Sequence, residues 1–333
     1  MWWKNVVIYE LYVDKFAENF TGLSEKLGYL RALGINCVHI LPHYPSPMVD
    51  DGYDVSDYKS VRAELGTIED FEKFAKLAHG WGIKIIIDLV LNHASIAHPL
   101  FIEASLDKNA ASRNLFLWSD TGQEYALAIN SFSQVKPKNW IYNKITRDYY
   151  FSTFYPEQAD FNWANPKVLI FFLDIMEFWV SRGADGFRLD ATSHLIKKEG
   201  TNSKGLPEVH EILKQLRTHL DKNLMKSYFG VGDECHLVYN FYLNERMWLA
   251  IKRGDKSIFE KALAASAGIP ENSAWANFLR SHDEISMSTL EQGEVNEVAD
   301  YFDPARKCRF KSYIAMRPGS MFGGDKEKML KLV

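Results

Sequence analysis

The chain has 333 residues, 47% hydrophobic and 25% charged, the balance of an ordinary soluble globular protein long enough for one large core plus an insertion. A net charge of −4 gives no grounds for binding nucleic acid or an anionic membrane. Cys37, Cys235 and Cys308 are an odd, widely spaced set, which argues against a disulfide framework or a zinc site and for reduced thiols in a cytoplasmic protein. The N-terminal MWWKNVVIYELYVD lacks the cationic start of a signal peptide. The longest apolar stretch, Val168 to Val180, contains Asp174 and Glu177 and is too short to span a bilayer.

Strand and helix patterns alternate along the chain, which predicts a parallel sheet with crossover helices. Strands are expected at Val6–Tyr9, Asn36–Leu41, Ile83–Val90 and Ala184–Leu189, then at Ser227–Val231, Leu237–Tyr242 and Ser273–Leu279. Helices are expected at Gly22–Leu33, Ile68–Gly80, Pro166–Arg182, Pro207–Leu220 and Lys256–Ala267. Between His93 and Trp163 the alternation lapses into polar residues and scattered aromatics. A structureless loop of that length does not suit a compact domain, so an inserted small domain is expected there.

Three of the apolar runs end in chemistry. IIIDLVLNH brings Asp88, Asn92 and His93; DGFRLDATSH brings Arg188 and Asp190; FLRSHDE brings His282 and Asp283. Polar clusters repeated at strand ends are how a (β/α)8 barrel builds an active site on its C-terminal rim. Residues two apart on a strand share a face, so Arg188 is expected beside Asp190, where its guanidinium favours the ionised carboxylate.

These segments resemble the first, second and fourth signature regions of the α-amylase superfamily, glycoside hydrolase family 13. GINCVHILPHYPSP, DGYDVSDYKSV and ADFNW resemble further family segments, and GDECHLVYNFYLNERM and RPGSMFGGDKEKML are most similar to the trehalose synthase (maltose glucosyltransferase) branch. The resemblance implies a (β/α)8 barrel with domain A in residues 1–93 and 164–333 and an inserted B domain in residues 94–163. It implies a retaining enzyme for α-glucosides, acting by hydrolysis or transglucosylation, with Asp190 as nucleophile and Asp283 as transition-state stabiliser. Asp50, Tyr53, His93, Arg188 and His282 would contact the sugar. No cofactor and no metal are implied, since the acid-rich loop of a calcium site is not found; Asn92 alone resembles a calcium ligand of some amylases.

Two departures stand out. The strand count reaches seven, and neither an eighth strand nor the family's C-terminal β-sandwich is seen, so open barrel edges and self-association are expected. The stretch HLDKNLMKSYFGVGDECH leaves little room for the strand that ends in the family's general-acid glutamate. Glu234 is the remaining candidate acid. The alternative reading is a catalytically silent remnant that binds a sugar or a protein partner.

Overall fold

The computed structural model describes residues 2–224, 234–271, 273–280, 284–310 and 313–325. It divides into two compact units, residues 5–222 and residues 1–4 with 223–333.

In the larger unit the chain runs β1 (Ile8–Leu11), α1 (Val13–Ala17), α2 (Phe20–Glu25), α3 (Leu27–Ala32), β2 (Cys37–Ile40), α4 (Ile68–Gly80) and β3 (Lys84–Val90). An interruption follows: β4 (His93–Ser95), α5 (Pro99–Leu106), β5 (Trp118–Ser119), β6 (Trp140–Asn143), β7 (Asp148–Phe151) and β8 (Gln158–Asp160). α6 (Pro166–Val180), β9 (Gly186–Asp190) and α7 (Glu208–Leu224) resume the alternation. Strands β1, β2, β3 and β9 form one parallel sheet in that order, as a chain of strand–helix–strand units dictates. The interruption differs in kind: β4 pairs antiparallel with β8, and β5, β7 and β6 make a second antiparallel sheet.

Helix termini follow local chemistry. α4 begins at a capping box in which Thr67 Oγ1 accepts from Asp70 N–H and the Asp70 carboxylate accepts from Thr67 N–H. α6 starts with Asn165 as cap and Pro166 in its first turn. Its buried residues Val168, Phe172, Ile175, Met176 and Trp179 recur at helical spacing and pack onto the sheet. Trp179 is fully buried against Phe71 and His43, and its indole N–H donates to the Tyr58 carbonyl at 2.7 Å.

Several expected elements are displaced. The first strand starts at Ile8 rather than Val6, because Val7 N–H is taken by the Asn36 side chain at 2.7 Å. The expected helix Gly22–Leu33 is two helices broken at Lys26, the first beginning earlier because Asn19 caps it through Gly22 N–H. The expected strand Ala184–Leu189 lies at Gly186–Asp190, so Asp190 ends the strand rather than following it.

The smaller unit holds β10 (Leu237–Tyr239), α8 (Phe241–Arg253), α9 (Lys256–Ala265), β11 (Ala274–Ala276), β12 (Ile285–Ser286), α10 (Gln292–Phe302), β13 (Arg309–Phe310), β14 (Tyr313–Ile314) and α11 (Pro318–Met321). β10 and β11 pair in parallel, while β12, β14 and β13 form an antiparallel sheet. The expected strand Leu237–Tyr242 stops at Tyr239, since Asn240 accepts from Leu243 N–H and starts α8 at Phe241. The expected strand Ser227–Val231 lies outside the described residues. A separate core surrounds Trp248, Ile285, Val298 and Phe302. Among the described residues no helix is long and apolar enough to cross a membrane.

Trp179 ties α6 to α4 and to the loop after β2, so Trp179→Ala should destabilise the fold by about 3–5 kcal/mol, the usual cost of deleting a fully buried aromatic. Urea unfolding measures it; an unchanged midpoint would mean that α6 is not anchored there.

Candidate active site

The site grows from one face of the parallel sheet. In register, Glu10 on β1 stands opposite His39 on β2, Asp88 on β3 opposite Arg188 on β9, and Val90 opposite Asp190. Arg188 and Asp190, two residues apart, share a face as their spacing requires.

Asp88 is completely buried, so its charge needs partners. Arg188 Nη1 donates to both its oxygens at 3.0 and 3.1 Å, and the Tyr53 hydroxyl donates to Oδ2 at 3.0 Å. The same Nη1 reaches Asp190 Oδ1 at 2.6 Å. Asp190 thus stands at the rim, partly open, with one oxygen held by a guanidinium that is itself fixed from behind. Immediately after it, Ala191 adopts a left-handed conformation at φ 50°, which turns the chain sharply away from the strand.

The loop after β2 presents two more of the expected residues. The buried Asp54 carboxylate accepts from Ser46 Oγ, Val49 N–H and Asp50 N–H at 2.8–3.1 Å, fixing the turn that carries Asp50 and Tyr53. Gly52 sits there at φ 99°, and a Cβ would stand 3.1 Å from the Pro42 carbonyl oxygen. Asp50 Oδ2 accepts from Gln158 Nε2 at 2.8 Å. Burial raises the Asp50 carboxyl above its ordinary value and nearby Asp190 adds to this, against the Gln158 hydrogen bond and the His93 field. His93 starts β4, with Nε2 3.2 Å from the Tyr53 carbonyl oxygen and its ring edge-on to Phe154. Asp50, Tyr53, His93, Arg188 and Asp190 therefore gather in one unit.

His282 and Asp283 lie outside the described residues. Glu234 belongs to the smaller unit, just before β10.

Sequence reading missed a second cluster beside the site. The Lys197 ammonium, almost wholly buried, lies 2.7 Å from Asp160 Oδ2 and 3.2 Å from Asn92 Oδ1, and donates to the His194 carbonyl. Asp160 also accepts from Thr153 N–H at 2.9 Å and from its hydroxyl. Burial pushes the Asp160 carboxyl up, but Lys197, His93 and these hydrogen bonds outweigh it and leave it below its ordinary value. Burial and the charges of Lys197 and Lys204 lower His194 to about 4. Asn92, the one residue with a likeness to a calcium ligand, has its carboxamide oxygen engaged by this side-chain cation. The only sequence signal for it is a lysine three residues past the segment DGFRLDATSH, Lys197 after His194.

With this geometry in view, the comparisons are decisive. The Alpha-amylase model (Alpha amylase, catalytic domain) matches residues 15–296. The chain belongs to the α-amylase family. It is 38% identical to the trehalose synthase of Thermus thermophilus over 351 aligned positions, covering 98% of this chain and 36% of that protein. It is 36% identical to the trehalose synthase of Pimelobacter sp., covering 95% of this chain and 60% of that protein. The first alignment is longer than the 333-residue chain, so that relative holds residues with no counterpart here. Among solved structures, a trehalulose synthase in complex with Tris superposes with a TM-score of 0.72 at 28% identity, over 85% of this chain and 59% of that one. The trehalose-6-phosphate hydrolase of Bacillus licheniformis gives 0.68 at 28% identity, over 80% and 56%. The chain thus spans between about one third and three fifths of these proteins' lengths, and its fold is of their (β/α)8 barrel type.

Lys197→Met would leave Asp160 buried without its cation. A loss of about 3–5 kcal/mol is expected, the cost of breaking a buried pair, and adding Asp160→Asn should recover part of it. The low Asp160 value means that the pair's stabilisation is present above the unfolded carboxylate value, ~3.9, and fades as pH falls through the folded one. Denaturant midpoints of the three variants between pH 3 and 7 decide the matter; equal midpoints for wild type and Lys197→Met would show that the pair contributes nothing.

Proposed function

We propose that this chain acts on α-glucosides by a retaining double displacement, with Asp190 as nucleophile. The observation that carries the reading is the Arg188–Asp190 pair, an oriented carboxylate at the rim of parallel strands, backed by buried Asp88 and flanked by Asp50, Tyr53 and His93. Asp190 would attack C1 of the glucosyl unit as the C1–O bond to the leaving group breaks. The leaving oxygen takes a proton from a second carboxyl, for which Glu234 is the candidate. Water or a sugar hydroxyl then attacks C1, gives its proton back to that carboxylate and releases Asp190. Water gives hydrolysis; a sugar hydroxyl gives transglucosylation, including interconversion of maltose and trehalose. Asp283 would stabilise the developing positive charge on the sugar, and His93, His282, Asp50, Tyr53 and Arg188 would bind its hydroxyls.

The trehalose synthase relatives and the trehalulose synthase superposition support an α-glucoside substrate. On the same reading, residues 94–163 are an inserted B domain beside the cleft, and residues 1–93 and 164–333 form the barrel domain. The free cysteines support a cytoplasmic setting, and self-association through open sheet edges belongs to the same proposal. A silent, sugar-binding member is the second reading. It is favoured by the aligned relative's extra residues and the short stretch before Glu234.

Turnover of maltose and of an aryl α-glucoside separates the two. Asp190→Asn should reduce both to background, and unchanged turnover would remove the nucleophile assignment. Glu234→Gln should cost ~10²–10⁴-fold with maltose, the usual worth of a positioned acid, and much less with the aryl glucoside, whose leaving group needs little protonation. Equal effects on the two substrates would remove Glu234 from that role. No turnover of either by the wild type, with binding of glucose retained, would favour the silent reading.

A further inference from the structure

Behind the site runs a line of charged groups that the reaction as described does not use. Glu10, His39, Asp88 and Arg188 come from four successive strands of the parallel sheet and lead across it to Asp190. His39 is the second member and its side chain is 2% exposed. Its Nδ1 lies 3.1 Å from Glu10 Oε2, and its Nε2 lies 3.3 Å from Asp88 Oδ2, close but poorly aligned for a hydrogen bond. Each ring nitrogen therefore faces a carboxylate oxygen. A neutral imidazole has one N–H, so its other nitrogen would point a lone pair at a negative charge; an imidazolium offers a donor to both.

We propose that Glu10 and His39 are a positioning pair for the nucleophile: doubly protonated His39 shares the charge of Asp88 with Arg188, and this sharing keeps Arg188 aimed at Asp190. The proposal rests on the reading of Asp190 as nucleophile. Arg188 Nη1 serves Asp88 and Asp190 at once. While His39 is an imidazolium, Asp88 has a second cation and draws less on the guanidinium, which holds Asp190 closely. When His39 loses its proton, more of the charge of Asp88 falls on Arg188 and Tyr53, and the grip on Asp190 slackens.

The groups that face His39 agree with this. Glu10 meets it from β1 and Asp88 from β3; Arg188 from β9 and Tyr53 from the loop after β2 stand behind Asp88. Cys37, two residues back on β2, has its thiol pushed up by burial. Burial alone would lower the imidazole, but the pull of the Asp88 and Glu10 carboxylates on either side outweighs it and raises His39 above its ordinary value of 6.5. By linkage, the pair stabilises the fold below that ordinary value and loses the contribution as pH rises through the folded one.

The test follows the His39 ring and the Asp190 carboxyl by NMR in the full chain, alongside kcat and KM for an aryl α-glucoside between pH 5 and 9. The expected His39 midpoint lies above the ordinary 6.5. kcat should fall on the alkaline side with that midpoint while KM changes little, and the Asp190 carboxyl ¹³C shift should follow the same titration. Glu10→Gln, at a partly open position, should move all three to lower pH. His39→Gln should abolish the alkaline limb and lower kcat at pH 6 by about 10–100-fold, the scale of loss for outer partners that orient metal ligands. A His39 midpoint at or below 6.5, or a limb and a ¹³C shift that ignore Glu10→Gln, would overturn the proposal. An inactive wild type would count against the glucoside reading alone; the Asp190 ¹³C response would then decide for or against the pair by itself.

Discussion

A carboxylate with no access to water, Asp88, organises the larger unit. An ion in that position costs several kcal/mol unless charge and hydrogen bonds surround it. Three separate parts of the chain answer that demand: Arg188 from β9, Tyr53 from the loop after β2, and His39 from β2. Each is thereby fixed, and two of them fix something further. Arg188 orients Asp190, Tyr53 anchors the loop that also bears Asp50, and the Tyr53 carbonyl meets the His93 ring. Asp190 stands partly open at the rim, beside a carboxylate that is wholly buried.

Much of this was legible in the sequence because strands impose a period of two. DGFRLD places Arg188 and Asp190 at alternate positions, so their shared face follows from backbone geometry alone, whereas Asp88 joins them through the register of β3 against β9. Apolar patterning likewise located the starts of α4 and α6, at Ile68 and Pro166, where the structure shows a capping box at Thr67 and Asp70 and an Asn165 cap. Asn19 and Asn240 carried the same kind of signal, but apolar patterning obscured it. Tyr239, Phe241 and Tyr242 read as a continued strand, although Asn240 between them turns the chain into a helix.

What stayed hidden depends on contacts between residues far apart in the chain. Lys197 finds Asp160 and Asn92, and Gln158 finds Asp50 across more than one hundred residues. No local periodicity encodes such pairs, because they arise where the antiparallel β4–β8 ribbon folds against the rim. His39 was equally silent: a histidine inside a short apolar strand looks like core until Glu10 and Asp88 are seen on either side. Asp190 illustrates the intermediate case. Its role was suggested by motif, but its position as the last strand residue, just before the sharp turn at Ala191, needed coordinates.

The buried ammonium of Lys197 sets a further condition on this protein. A loose ion at such a spot would be held by mass action, and dilution or a chelator would strip it away. A cation tethered by its own side chain has a fixed local concentration whatever the surroundings contain. The wall formed by Asn92, Asp160 and the His194 carbonyl is therefore charge-balanced from the moment the chain folds, without drawing on the ionic supply of its medium.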